Sequence, residues 1–307
     1  MPAPDALAHA WGRLRPTPRG VLWMIFACVT FSCMGATARH LTGFLPPEEL
    51  VFFRNALALA WMTPWILRVG FAGLRTTHFR MYAGRSALAF LSMLCWFTAL
   101  ASLPLAEAIA LGFTQPLFAT VLAVLLLGEV VRLRRWTATV VGFLGAMVIL
   151  RPGIEAVTFA HALVLLSSAA GAVTAVLVKQ LTRTDDPSTI VTYMTLLATP
   201  FALLIALPGW IWPDAWTWFW LVALGLLGTV AHQASTRAIR HLDASLVASL
   251  DFMRLPMVAA LAFLAFGEIP DRWTWIGGAM IGMASIYIAH REAQLARQRL
   301  AAGRETS

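Results

Sequence analysis

The chain has 307 residues, of which 59% are apolar and only 12% charged, and its mean hydropathy is +0.74. No soluble domain of this length hides that much apolar surface in one core, so the surrounding solvent is lipid. The net charge of +8 raises the question of nucleic acid, but the arginines stand between apolar spans and form no basic stripe, which argues against that partner.

Apolar runs punctuated by charge, Pro or Gly predict ten membrane helices. Span 1 covers 20–41 and follows Arg13, Arg15 and Arg19. That opening, with Ala36-Thr37-Ala38, mimics a cleaved leader, but span 1 has a partner later in the chain and is read as retained. Span 2 covers 48–68 and is interrupted by Arg54. Spans 3, 4 and 5 cover 80–101, 105–128 and 134–151, with Pro116 inside span 4. Spans 6, 7 and 8 follow at 159–181, 187–207 and 215–239. Span 9, at 244–266, carries Asp251, Arg254 and Pro256, and span 10 covers 272–290. Residues 1–19 and 291–307 remain as tails. Thirteen Trp against three Tyr fit anchoring at the membrane interface, where Trp210, Trp212, Trp216, Trp218 and Trp220 bracket one boundary. Cys28, Cys33 and Cys95 fall inside spans, match no metal or disulfide pattern, and read as packing residues. No metal or cofactor is expected.

The two halves repeat each other. Leu103–Glu129 lies without gaps on Leu242–Glu268 at an offset of 139, with eight identities that include Phe113/Phe252, Gly128/Gly267 and Glu129/Glu268. Arg135-Trp136 recurs as Arg272-Trp273, Thr63-Pro64 as Thr199-Pro200, and Arg39-His40-Leu41-Thr42 has an echo in Lys179-Gln180-Leu181-Thr182. Units of about 140 residues that each hold five spans must enter the membrane in opposite senses, because five is odd. The expected fold is therefore an all-α polytopic membrane protein of ten transmembrane helices in two inverted five-helix repeats, 20–151 and 159–290. Loop charges agree: Arg132, Arg134 and Arg135 follow Glu129, but only Asp271-Arg272 follows Glu268. Arg39, Arg151 and Arg272 are the basic residues of one side, and the many others place both termini in the cytoplasm.

The pattern resembles the drug/metabolite transporter superfamily, in its ten-helix EamA-type branch. The resemblance rests on the turns Ala99–Ala106 and Ala238–Ser245, each leading into a helix with a central Pro and a terminal Gly-Glu, then a basic-Trp start. Phe53-Arg54 also looks like that family's aromatic-Arg pair. Covering roughly 20–290, the resemblance implies alternating access around a cavity lined by spans 1, 3, 4, 6, 8 and 9. Pro256 falls one position later than the repeat of Pro116 predicts, so the side chains around the two prolines are not strictly equivalent.

Charges inside spans point to a site, since each costs about 2.5–3.5 kcal/mol near a helix centre. Asp251 and Arg254 share a face of span 9. They form either a self-neutralising pair or a lining for an amphoteric or anionic solute, with Asp251 a candidate proton carrier. Their repeat positions are Gly112 and Gln115, so the cavity is charged on one side and uncharged on the other. Arg54 is expected to snorkel toward Glu48 and Glu49, with solute contact as its second reading. Glu107 is a helix N-terminal acid or a proton acceptor at the cavity mouth. His232 and Gln233 read as interhelical hydrogen-bonding groups or solute contacts. Trp96, Phe113 and Phe252 suit stacking on a flat solute, although aromatic packing is the commoner use. Gly142, Gly145, Gly277, Gly278 and Gly282 read as close-packing faces, within the fold or between the subunits of a homodimer.

No phosphate loop, nucleophile elbow or His-Glu-x-x-His motif supports an enzyme. The expected function is secondary transport of a small organic metabolite across a bacterial inner membrane, with proton coupling as one option. Amino acids, riboflavin and S-adenosylmethionine are the solutes considered. A multidrug or metallophore exporter, a membrane-bound transferase and a non-transporting ligand-binding protein are the alternatives.

Overall fold

The computed structural model describes residues 16–69, 76, 78–127, 133–151, 157–181, 185, 187–239, 241–242, 247 and 250–305. Among them run α1 (Pro16–Leu41), α2 (Pro47–Val69), α3 (Phe79–Leu100), α4 (Leu105–Gly112) and α5 (Gln115–Leu127). They are followed by α6 (Leu133–Leu150), α7 (Phe159–Leu181), α8 (Pro187–Ala206), α9 (Ala215–Ile239), α10 (Arg254–Phe266) and α11 (Arg272–Glu305). Six described segments are long and apolar enough to cross a membrane, and Trp136–Leu150 and Arg254–Phe266 are shorter apolar helices. The expected span ends are met within a few residues, with three differences. Span 4 is split into α4 and α5. Span 9 breaks before Arg254, and most of its expected first turns lie outside the described residues. Span 10 continues past His290 as one helix to Glu305.

The most extensive helix contacts join one half to the other: α1 with α9, α3 with α7, α2 with α8, and α6 with α11. Exchanging every helix for its repeat partner leaves this set of pairs unchanged, as an inverted duplication requires. Local details follow the same symmetry. Thr63 and Thr199, each just before an in-helix proline, donate to the carbonyls of Leu59 (3.0 Å) and Thr195 (2.6 Å).

One end of the bundle is sealed by a continuous core that includes Leu41, Leu45, Leu50, Leu100, Leu103, Leu105 and Leu221. Toward the other end the core divides. Met24, Cys28, Ala238 and Leu242 form one cluster between α1 and α9, while Tyr82, Leu181 and Ile190 form another among α3, α7 and α8. Among the described residues these two clusters stand apart from the main core and from each other.

All five glycines singled out by sequence face contacts within the chain. The tightest crossing is α6 on α11, where a Cβ on Gly145 would lie 2.8 Å from the carbonyl oxygen of Gly277. Backbone cannot yield as a side chain does, so Gly145→Ala is expected to destabilise the fold by about 1–3 kcal/mol. A melting temperature of the detergent-purified variant equal to that of the parent would show that the two helices do not pack this closely.

Candidate functional site

The site is built on two breaks in corresponding places, Phe113-Thr114 and Phe252-Met253, each 139 residues from its counterpart. Pro116 lacks an N–H, so the Gly112 carbonyl loses its helical donor and accepts instead from Ser168 Oγ at 3.4 Å. The Leu117 amide turns to Thr114 at 2.9 Å, and the Phe113 carbonyl accepts from Ser285 Oγ at 3.2 Å. In the second copy the Leu255 amide bonds the Phe252 carbonyl at 3.1 Å, and Cys28 Sγ donates to the Leu250 carbonyl at 3.4 Å. The displaced Pro256 therefore leaves the break in register with the first copy. Cys28 and Ser168 are 140 residues apart, the same offset as Arg39 and Lys179. Each thus satisfies backbone freed at the kink of the opposite half, which lets irregular backbone line a cavity in the membrane.

Charged and aromatic groups meet between the breaks. Arg254 Nη2 lies 3.4 Å from Asp251 Oδ2, and its guanidinium carbon sits 5.5 Å from the Phe31 ring centre and 5.2 Å from that of Phe113. Phe252 adjoins Phe113 at 5.5 Å between centres. The edge of Phe31 also meets the His232 ring, perpendicular at 5.1 Å. His232 Nε2 lies 3.1 Å from Arg54 Nη2. A guanidinium only donates, so Nε2 accepts and the ring proton sits on Nδ1. His232 is nevertheless exposed by area.

Arg54 does not snorkel. It is 6% exposed and points inward to His232, Asn55 Oδ1 (3.4 Å) and Met93 Sδ (3.7 Å), while Glu49 accepts from the Ile211 amide at 2.7 Å. Phe52 and Phe53, just before Arg54 on α2, pack against Trp210. Trp96 lies against Gly112, where a Cβ would be 3.2 Å from the indole, so glycine is needed for that close approach. Gln115 is exposed and lies over Gly171 of α7. Gln233 stands apart from this group: its amide oxygen accepts from Arg237 at 3.5 Å, and Arg237 covers Trp23. Glu107 is in the first turn of α4, 3.0 Å from His161 Nε2. His161 Nδ1 accepts the Thr158 amide at 3.0 Å, so Nε2 carries the proton and donates to Glu107.

Three participants escaped the sequence reading. Phe31 is an apolar residue in an apolar span and gives no signal. Arg85 is buried on α3 and donates to the Ile190 carbonyl (3.4 Å) and Met194 Sδ (3.5 Å). Its lone charge inside span 3 was the available clue. The third is a clasp at the closed end. Glu268 Oε1 accepts from Arg39 Nε (3.4 Å) and Nη2 (3.3 Å), and its Oε2 accepts the Leu105 amide at 2.8 Å. Arg39 Nη1 donates to the carbonyls of Leu100 (2.7 Å) and Ala101 (3.0 Å). One carboxylate thereby ties α10 to α1, α3 and α4, and the repetition of Gly-Glu was its trace in the sequence. A second tie, Arg151 to Asp271 at 2.7 Å, lies beside it. Burial alone would raise the Asp271 carboxyl, but bonds from Thr274 and the charge of Arg151 outweigh it and hold the group below the usual carboxylate range.

Two interlocked apolar helical halves, broken at corresponding places beside a charged pair, make this a multi-pass membrane transporter of the small-metabolite class. The chain belongs to the EamA-like transporter family of the drug/metabolite transporter superfamily, whose pattern matches residues 18–151 and again 158–289. It is 35% identical over 285 residues to a riboflavin transporter of Vibrio cholerae, covering 91% of this chain and 96% of that one. It is 31% identical over 273 residues to a pseudopaline exporter of Pseudomonas aeruginosa, covering 88% and 95%. A solved crystal structure shares the fold with a TM-score of 0.62 at 21% identity, over 92% of this chain and 98% of that one.

Proposed function

We propose that the protein carries riboflavin, or a metabolite with the same flat heteroaromatic ring and polar chain, across the bacterial inner membrane by alternating access. The observation that carries this reading is the slot formed by Phe31, Phe113 and Phe252 around the Arg254 guanidinium. Rings of this kind present faces on which a tricyclic solute stacks, and Asp251 and Arg254 supply an acceptor and donors for its polar chain. The likeness to the Vibrio cholerae riboflavin transporter over nearly the full length supports the same solute.

In this proposal the clasped end faces the periplasm and the opposite end faces the cytoplasm, with both termini cytoplasmic. The charge asymmetry of the loops supports that orientation. Asp251 is the proposed proton acceptor, taking a proton when solute displaces it from Arg254.

The test is counterflow in proteoliposomes preloaded with riboflavin, with and without a pH gradient. Saturable accumulation of labelled riboflavin, changed in rate by the gradient, is the expected result. Absence of flavin flux, with labelled pseudopaline exchanged instead, would overturn the solute and favour the exporter reading.

A further inference from the structure

We infer that Arg54 anchors the acceptor edge of the solute and so fixes which way round it binds. This rests on the flavin reading above and extends it from solute to orientation.

The arginines of the interior are unequally compensated. Arg254, Arg39 and Arg151 each face a carboxylate, at 3.4, 3.3 and 2.7 Å. Arg54 is buried to a similar or greater degree, yet no carboxylate of the described residues lies within ion-pair range of it. Its partners are neutral and, apart from His232, distant: an amide oxygen at 3.4 Å and a thioether sulfur at 3.7 Å. A guanidinium has five N–H donors, and a buried cation with so few acceptors is costly. Arg85 shares that state, but Arg54 alone of the two is held by an exposed partner, His232, beside which a further acceptor can arrive.

Geometry says where that acceptor enters. Gly228 of α9 lies beside the guanidinium, a Cβ built there being 3.6 Å from Nε, so that side is occupied by the α9 backbone. His232, which holds Nη2, is exposed. Phe31 links His232 to the Arg254 slot, so a ring stacked at Phe31 presents its edge to Arg54. Its Nη1 and Nη2 each carry a second N–H that can donate to an arriving carbonyl oxygen. In a flavin that edge is the imide, C=O–NH–C=O, and one of its carbonyls would accept from Arg54 while the ribityl chain points toward Asp251.

The experiment is equilibrium binding of riboflavin and of 3-methylriboflavin, which carries a methyl between the two carbonyls, to purified protein in nanodiscs. The parent is expected to bind the methylated flavin about 10- to 100-fold more weakly, the range of a lost charge-assisted bond. In Arg54→Gln riboflavin should weaken by a similar factor and the discrimination between the two flavins should vanish. A merely structural Arg54 would weaken both flavins and leave their ratio unchanged, and that result would overturn the anchor. Arg54→Lys, which keeps the charge but not the fork, should bind riboflavin and discriminate less than the parent, and it replaces the Gln variant if that does not fold. Full discrimination retained in the Lys variant also counts against the anchor. Parent protein that binds no flavin sinks both the solute and the anchor; parent binding with an unchanged ratio in the variants sinks the anchor alone.

Discussion

Asp251→Asn is expected to leave the protein folded and to reduce transport about 100-fold. The Asp251 side chain is 29% exposed and its bond to Arg254 is 3.4 Å long, so its share of stability is small, under about 1 kcal/mol. Its share of function is larger, because Asp251 is the carboxylate that meets Arg254 in the aromatic slot. Asn keeps the shape and removes the charge, which leaves Arg254 uncompensated and denies the solute a strong acceptor. A bond to a charged partner is worth about 1.5–3 kcal/mol, which sets the upper end of the expected loss. Counterflow and thermal melting of the same preparation separate the two effects. Transport at parental rate would make the pair a structural one.

Glu268→Ala should unseal the closed end. The substitution removes both bonds to Arg39 and leaves the Leu105 amide, at the start of α4, without its acceptor. The two side chains are 25% and 21% exposed, so the ion pair itself is partly screened and the bare amide dominates. A penalty of about 2–3 kcal/mol on the sealed conformation shifts its equilibrium roughly 30- to 150-fold. Leu103, 4% exposed beneath the clasp, is the reporter position. In a background with the native cysteines replaced, Leu103→Cys should react much faster with a membrane-impermeant maleimide once Glu268 is gone. Cys28 is best replaced by Ser, which preserves the donor to the Leu250 carbonyl. Equal labelling rates with and without Glu268 would show that the clasp does not hold this end shut.

Much of this architecture was legible because lipid imposes a simple rule on sequence: long apolar runs become helices, and duplicated runs become symmetric ones. The ends of spans 6 and 8 coincide with α7 and α9. The prolines announced the kinks, but not that each break falls two to four residues earlier, since a proline disturbs the carbonyls of the turn before it. Side-chain direction was less legible. Arg54 could reach the near surface or the interior, and the partners that hold it inside, His232 and Met93, come from other helices that no local pattern on α2 marks. Gln233 and His232 adjoin in sequence, yet one turns to Arg237 and the other to Arg54, because neighbours on a helix face about 100° apart. Phe31 was illegible, since what distinguishes it is a position between His232 and Arg254 that no local pattern encodes.

The pairing of helices across the halves sets a timetable for biogenesis. Ala215, where the main partner of α1 begins, lies 174 residues beyond Leu41. At about 5–20 residues per second of synthesis, α1 waits in lipid for roughly ten to thirty-five seconds before α9 is made. Its hydroxyls are suited to that wait: Thr30 donates to the Phe26 carbonyl and Ser32 to the Cys28 carbonyl, both at 2.7 Å within the same helix. Among the described residues Arg39 has no such local partner, and its carboxylate, Glu268, is translated 229 residues later. The nascent first half is thus a set of inserted helices that await their mates, and the clasp forms only after the second half is made.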